Sequence, residues 1–285
     1  MQKVTYPRGE HLTDDRGVLT AERKDLPYSV PGLRLALGED GVAVLTLDRP
    51  EKRNALTRTM WAAIPGMLAR LAEEPGVRVL LLAGAGGAFS AGADIAELAD
   101  VYGSPDAADA YHAVNVAAET ALAEFPHPTL AVIDGPCVGG GCQLAVACDL
   151  RFAARGARLG ITPAKLGIVY PSVPTARLAR LLGPARAKYL LYSAELVTAD
   201  QALTFGLVDE VADDAGALAD RALAFARTLA SRSAQTQGAV KAVVDATVGG
   251  GDPQVAVASW ERASRTTPDV REGLAAFLER RAPRF

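Results

Sequence analysis

Apolar and polar residues alternate through Leu33–Leu37 and Val42–Leu47, on either side of Gly38-Glu39-Asp40-Gly41, which predicts a β-hairpin. The period then changes. Thr57 is placed to cap a helix running to about Glu73, Pro75-Gly76 stop it, and the apolar run Val77–Ala83 predicts a buried strand. A glycine-rich loop leads to a short helix near Ile95, and a longer helix is expected over Ala107–Glu124. Thr129–Ile133 reads as a strand, Asp134-Gly135-Pro136 as a turn, Gly139-Gly140-Gly141 as the start of a helix through Ala147, and Leu150–Ala153 as another strand. Strands separated by helices imply crossover connections, hence an α/β protein with a mainly parallel sheet.

Beyond Pro174 the pattern is helical. Gly183-Pro184 separate two helices, and Leu218, Ala222, Phe225 and Leu229 share one apolar face. Thr267-Pro268-Asp269 begins a last helix with Val270, Leu274, Phe277 and Leu278 on one stripe. The expected organisation is an N-terminal tail over 1–30, an α/β core over 31–225 and an all-helical C-terminal region over 226–285.

Composition narrows the function classes. The chain has 285 residues, 49% hydrophobic and 22% charged, as in a soluble globular protein. With 30 Lys and Arg against 33 Asp and Glu, the formal charge of −3 offers no general attraction for nucleic acid or an anionic membrane. The longest mainly apolar stretch, Val77–Phe89, is broken by Arg78 and falls short of the ~20 residues of a membrane span. The opening MQKVTYPRGEHLTDD lacks the apolar core of a signal peptide. Cys137, Cys142 and Cys148 form an odd set without disulfide or zinc spacing, and His11, His112 and His127 are scattered. No metal site is expected, and a reducing, cytoplasmic compartment is.

Two glycine-rich segments carry the candidate chemistry: Gly86-Gly87-Ala88-Phe89-Ser90-Ala91-Gly92-Ala93-Asp94-Ile95, and Gly135-Pro136-Cys137-Val138-Gly139-Gly140-Gly141-Cys142-Gln143, which ends at a helix N-terminus. Small residues let a ligand approach the backbone, and a helix start presents N–H groups without intrahelical partners. Two such loops meeting in space could aim one N–H each at a single oxygen, an oxyanion hole. Three other readings stand beside this one. Gly84-Ala85-Gly86 hints at a dinucleotide fingerprint, but Phe89 occupies its third glycine position. Ala88-Phe89-Ser90-Ala91-Gly92 resembles a nucleophile elbow, but no His follows residue 127. Both loops could also be no more than tight turns.

Taken together, AFSAGADIAEL and, about 45 residues on, GPCVGGGCQLAVACDLRFA resemble the crotonase (enoyl-CoA hydratase/isomerase) superfamily. LDRPEKRNAL resembles that family's opening strand and CoA-contacting turn, VTADQALTFGLVDEV its link from core to C-terminal helices, and DVREGLAAFLERRAPRF its closing helix. The resemblance implies a spiral of ββα turns, with a helical region that packs homotrimers, often paired into hexamers. It implies an acyl-CoA thioester as substrate, coenzyme A entering as part of that substrate with no separate cofactor. The thioester oxygen would take the backbone N–H groups of Ala93 and Gly140. Arg53, Ala55, Ala91, Asp94, Ile95, Ala96 and Gly139 would line the CoA and acyl path. Asp94 can equally cap the helix it begins, and Arg53 can equally be a solvated surface residue.

The sequence departs from hydratases at their acid and base. By the resemblance, their two glutamates fall at Gln143 and Ala164. An amide can hydrogen-bond but does not exchange protons usefully near neutral pH, and a methyl does neither. Loss of CO2 from a malonyl-type thioester needs an oxyanion hole but no base, because C–C cleavage itself leaves the enolate. TPAKLGIVYP resembles methylmalonyl-CoA decarboxylases of the superfamily, which carry a tyrosine at the position of Tyr170. They also carry a histidine where this chain has Ala93. Decarboxylation is therefore slightly favoured, with Gln143 facing the thioester α-carbon. The alternatives are an atypical hydratase or isomerase using another carboxylate, such as Glu97, and a non-catalytic acyl-CoA binder. Glu97 and His112 are weaker candidates on helices after the first loop, and His127 reads as a loop residue.

Overall fold

The computed structural model describes residues 23–285; residues 1–22 of the expected tail lie outside the described residues. The remainder of that tail contains a strand. Arg23–Asp25 (β1) pairs antiparallel with Leu33–Gly38 (β2), from Arg23 opposite Gly38 to Asp25 opposite Ala36. Its polar sequence carries no strand signal, because an edge strand draws its order from the neighbour it pairs with.

β2 and Val42–Leu47 (β3) form the expected hairpin. The side chain of Thr57 accepts the Met60 N–H and caps Arg58–Glu73 (α1), whose Met60, Trp61, Ile64, Leu68 and Leu71 are buried. Then follow Val79–Gly84 (β4), Ile95–Val101 (α2), Pro105–Ala123 (α3), Thr129–Ile133 (β5), Pro136–Val138 (β6), Gly140–Ala147 (α4), Leu150–Ala154 (β7) and Arg158–Gly160 (β8). The second half comprises Ser172–Leu182 (α5), Pro184–Ser193 (α6), Val197–Thr198 (β9), Ala199–Phe205 (α7), Glu210–Ala212 (β10), Ala215–Ala230 (α8), Ala234–Gly249 (α9), Pro253–Ser264 (α10) and Pro268–Glu279 (α11).

The main sheet runs β1-β2-β3-β4-β5-β7-β10, antiparallel through the first three strands and parallel from β3 onward. A smaller sheet, β6-β8-β9, stands beside it. One face of the main sheet is covered by apolar residues of α1, α3 and α4, the other by α8. Burial on both faces is why the central strands read as unbroken apolar runs such as Val79-Leu80-Leu81-Leu82.

The boundary expected at residues 225 and 226 falls inside α8, whose Leu218, Ala222, Leu223 and Ala226 all pack on the sheet. The helices without a buried face begin at α9: α9 and α10 bury no residue and α11 only Ala276. The turn read at Asp134-Gly135-Pro136 runs directly into Pro136–Val138 (β6), which exists through pairing with β8. Among the described residues no helix is long and apolar enough to cross a membrane.

Because β4 and β5 are parallel neighbours, the chain leaves both at the same edge of the sheet. This is the usual position of a ligand site in an open α/β fold. The two glycine-rich loops start there.

Candidate active site

A single parallel bridge joins the loops. The Ser90 N–H donates to the Pro136 carbonyl, and the Val138 N–H donates to the Ser90 carbonyl, both at 2.9 Å, so Ser90 lies opposite Cys137. Beneath the first loop sits Asn54, fully buried, left-handed at φ 56°, and bonded on three sides. Its Oδ1 accepts the Arg49 N–H, its Nδ2 donates to the carbonyls of Ala85 and Ala88, and its own carbonyl accepts the Ser90 hydroxyl. The pattern of Asn in the left-handed region was a usable signal for such a residue; the apolar periodicity passed over it.

The glycines are required by close approach. A Cβ on Gly92, whose φ is +98°, would lie 2.8 Å from the Val138 carbonyl oxygen and 3.5 Å from the Gly140 nitrogen. One on Gly141 would lie 2.6 Å from the Ser90 Cβ. The 2.8 and 2.6 Å distances are below the separation ordinary side chains keep. The loops thus touch backbone to backbone, and the amides of residues 92–93 and 140 share one small region. Hydrogen bonds on either side of Ala93 are used up: Leu56 N–H donates to the Gly92 carbonyl and Asp94 N–H to the Leu56 carbonyl. The N–H groups of Ala93 and Gly140 have no hydrogen-bond partner among the described residues.

Both residues line a cleft of about 140 Å³, shared with Ala91, Ile95, Gly139, Gln143 and Tyr170. These seven sequence candidates are therefore brought together. The others stand outside the lining. Arg53 is exposed, in a left-handed turn whose carbonyl accepts the Ala91 N–H. Ala55 is buried, with its carbonyl taken by the Arg49 guanidinium. Ala96 is exposed on α2. Asp94 is the N-cap of α2, accepting the Ala96 N–H, and also pairs with Arg49 Nη1 at 2.9 Å. The hydrogen bond from Arg49 is the main cause holding the Asp94 carboxyl below the usual range.

Two expectations are corrected here. Ala164 is exposed and off the cleft, because the 3₁₀ turn Pro163–Leu166 turns Pro163 inward in its place. Proline brings no carboxylate either. Glu97 does not face the cleft: its Oε2 accepts the Arg58 N–H at the start of α1. His112, in contrast, does line the cleft, with Nε2 2.9 Å from the Tyr102 hydroxyl. Burial and the positive charges of Arg78 and Lys241 lower the pKa of His127, which is absent from the cleft lining.

Behind Gln143 lies a network that the sequence pattern did not reveal. Gln143 Nε2 donates to Glu119 Oε2 at 3.0 Å, and Arg177 Nε donates to Glu119 Oε1 at 2.7 Å. Glu119 has no exposed surface. The visible hint was polar character on a core-facing stripe of α3, where Tyr111, Asn115, Glu119 and Leu122 recur at helical spacing. Tyr170 sends its hydroxyl inward, where it has no hydrogen-bond partner among the described residues. Burial, and then the negative charge of nearby groups including Glu119, raise its pKa well above the ordinary phenol value. None of the residues lining the cleft is Asp, Glu, Lys or Arg. Among the described residues no group of three His, Cys, Asp or Glu side chains is disposed to hold a metal ion.

With this geometry in place the chain can be set beside known proteins. The model of the enoyl-CoA hydratase/isomerase family matches residues 38–285. The chain belongs to that family, within the crotonase superfamily. It is 33% identical to a crotonyl-CoA hydratase of Syntrophomonas wolfei, covering 87% of this chain and 95% of the relative. It is 34% identical to the 1,2-epoxyphenylacetyl-CoA isomerase of Escherichia coli, again over 87% of this chain and 95% of the other. Among solved structures, an enoyl-CoA hydratase/carnithine racemase from Magnetospirillum magneticum superposes with a TM-score of 0.86 at 31% identity, covering 92% of this chain and 98% of that one. Family membership establishes the crotonase fold and an acyl-CoA enzyme. Relatives named for hydration and for isomerisation match about equally well, so the family does not by itself choose the reaction.

Proposed function

We propose that this enzyme binds an acyl-CoA thioester with its carbonyl oxygen between the N–H groups of Ala93 and Gly140, and releases CO2 from a malonyl-type acyl group. The observation that carries this reading is the pair of unpartnered amides opening on a cleft without a carboxylate. Negative charge developing on the oxygen meets two fixed donors, which need no reorganisation as the reaction proceeds. A hydratase or an isomerase must also move a proton to or from carbon, and the cleft lining holds no carboxylate for that. Decarboxylation needs none, since the electrons of the C–C bond become the enolate. The Tyr170 hydroxyl, protonated well into the alkaline range, is suited to orient the departing carboxylate and to donate the proton that later quenches the enolate. The side-chain oxygen of Gln143, turned away from Glu119, is left to face the α-carbon.

Incubation with malonyl-, methylmalonyl- and ethylmalonyl-CoA, followed by mass spectrometry, tests the reaction. Loss of 44 mass units, that of CO2, from at least one is expected. Turnover of crotonyl-CoA with all three left intact would favour the atypical hydratase or isomerase. Binding of thioesters without turnover of any would favour a non-catalytic acyl-CoA carrier. The exposed apolar residues Val244, Leu274, Phe277 and Leu278 on α9 and α11 fit the trimer or hexamer expected for the active form.

A further inference from the structure

The cleft lining holds no Asp, Glu, Lys or Arg, yet the acyl group proposed to react there carries a carboxylate. A carboxylate taken out of water without a partner of opposite charge is costly. His112 on α3 is the lining residue that can supply that charge, since an imidazole gains its proton between about pH 5 and 8.

The ring is held for such a contact. Its Nε2 lies 2.9 Å from the hydroxyl of Tyr102, the residue that ends α2, and the two rings meet edge to face with centroids 6.0 Å apart. The Tyr111 ring lies tilted beside it at 6.4 Å. Burial raises the Tyr102 phenol above its ordinary value, so the oxygen stays a hydroxyl and can accept the Nε2–H of an imidazolium. Nδ1 has no hydrogen-bond partner among the described residues, which leaves its N–H for a ligand.

Little competes for that N–H. Of the helices packed on α3, α2 brings Glu97, whose Oε2 accepts the Arg58 N–H, and Asp100, which faces solvent. α3 itself carries Asp109, also exposed, and α1 brings Arg58, exposed at its start. From α4 comes the buried thiol of Cys142, and from α5 comes Arg177, held by Glu119 two turns further along α3. The remaining titratable groups of the lining are the phenols of Tyr102, Tyr111 and Tyr170.

We infer that His112 is the anion-binding residue of the acyl subsite: its imidazolium pairs through Nδ1–H with a carboxylate on the acyl group, so that the enzyme selects carboxylated acyl-CoA over plain fatty acyl-CoA. The inference rests on the thioester reading of the cleft and names the group that meets the acyl carboxylate. A single N–H holds the carboxylate at one point. The bidentate grip of a guanidinium would stabilise the ground state more and resist departure as CO2.

Equilibrium binding of a matched pair to the intact enzyme tests this. In sulfoacetyl-CoA a sulfonate replaces the malonyl carboxylate, cannot leave as CO2 and stays anionic at every working pH; in 3,3-dimethylbutyryl-CoA methyl groups replace the sulfonate oxygens. The ratio of the two affinities cancels the titration of the CoA moiety. From about pH 8.5 to about pH 5.5 it is expected to rise about tenfold in favour of the sulfonate. In His112→Gln, checked for folding by circular dichroism, the ratio is expected to change by less than about twofold. By reciprocity, saturating the wild type with sulfoacetyl-CoA should raise the NMR titration midpoint of His112 by about 1 pH unit, a reading that needs no variant. A ratio flat with pH, an unmoved His112 midpoint, or a rise unchanged in His112→Gln overturns the assignment. Failure of both thioesters to bind at any pH overturns the thioester reading itself, so the two failures are distinguishable.

Discussion

The side-chain amide of Gln143 donates to Glu119, a carboxylate with no exposed surface whose other oxygen is taken by Arg177. A carboxylate only accepts, so the contact fixes which end of the amide faces the cleft. The substitution Gln143→Glu would set two carboxyl groups at hydrogen-bond distance, with one guanidinium, that of Arg177, paired to the far oxygen of Glu119. One of the pair must then hold its proton, at a pKa raised above its unfolded value. A group raised in this way destabilises the fold at pH values above its folded pKa, and the penalty fades as pH falls toward the ordinary carboxylate range. The variant is expected to lose up to about 4 kcal/mol at pH 8, with a much smaller loss at pH 5, read from thermal unfolding at both values.

Gly141 closes the clamp between the loops. Its missing Cβ leaves room for Ser90, which would otherwise be met at 2.6 Å. Gly141→Ala is expected to separate the loops, costing about 1–3 kcal/mol of stability as overpacking does and lowering kcat/KM by more than the loss of folded protein explains. Activity per folded molecule, from titrated unfolding alongside kinetics, checks this.

Much of this arrangement was legible before the fold. The hairpin, α1 with its Thr57 cap, α4 behind three glycines and α11 after Thr267-Pro268 all have local causes in spacing, caps and turns, and they lie within a few residues of where the pattern places them. The short strands β6, β8, β9 and β10 were not legible, because two or three residues gain their order only from the partner strand. The site divided the same way. Ala93 and Gly140 sit in glycine-rich loops whose need for close approach is written in the sequence. Glu119 and Arg177 lie 24 and 34 residues from Gln143, and no local rule connects residues that meet only through tertiary packing. Ala164 was one place out, because it is Pro163 of the 3₁₀ turn that lines the cleft, and no local pattern tells which of two adjacent turn residues faces inward.

Tyr170 is a sharper test of the chemistry. Tyr170→Phe removes one buried, unpartnered hydroxyl and little volume. Decarboxylation is expected to slow by about 10 to 10⁴, with thioester affinity changed far less. Since burial raises the phenol pKa well above its usual value, the wild-type rate should show no loss of this donor up to about pH 10. A pH–rate profile of both proteins reads the two effects.

The Arg49–Asp94 pair holds the first loop to the turn before α1. Asp94→Asn keeps an N-cap but discharges the ion pair, at an expected cost of about 1 kcal/mol near neutral pH. The Asp94 pKa is depressed in the fold, so its contribution is complete above the ordinary Asp value of about 4 and lost as pH falls through the lower folded value. The Tm difference between wild type and variant should hold steady from pH 8 to pH 5 and shrink below pH 4.

A crystal structure with bound butyryl-CoA tests the central claim most directly, because this thioester has no carboxylate to lose. The account predicts its carbonyl oxygen within about 2.7–3.1 Å of both the Ala93 and Gly140 nitrogens. An oxygen that contacts neither amide, or the same two amides pointing away from the bound acyl group, would contradict it.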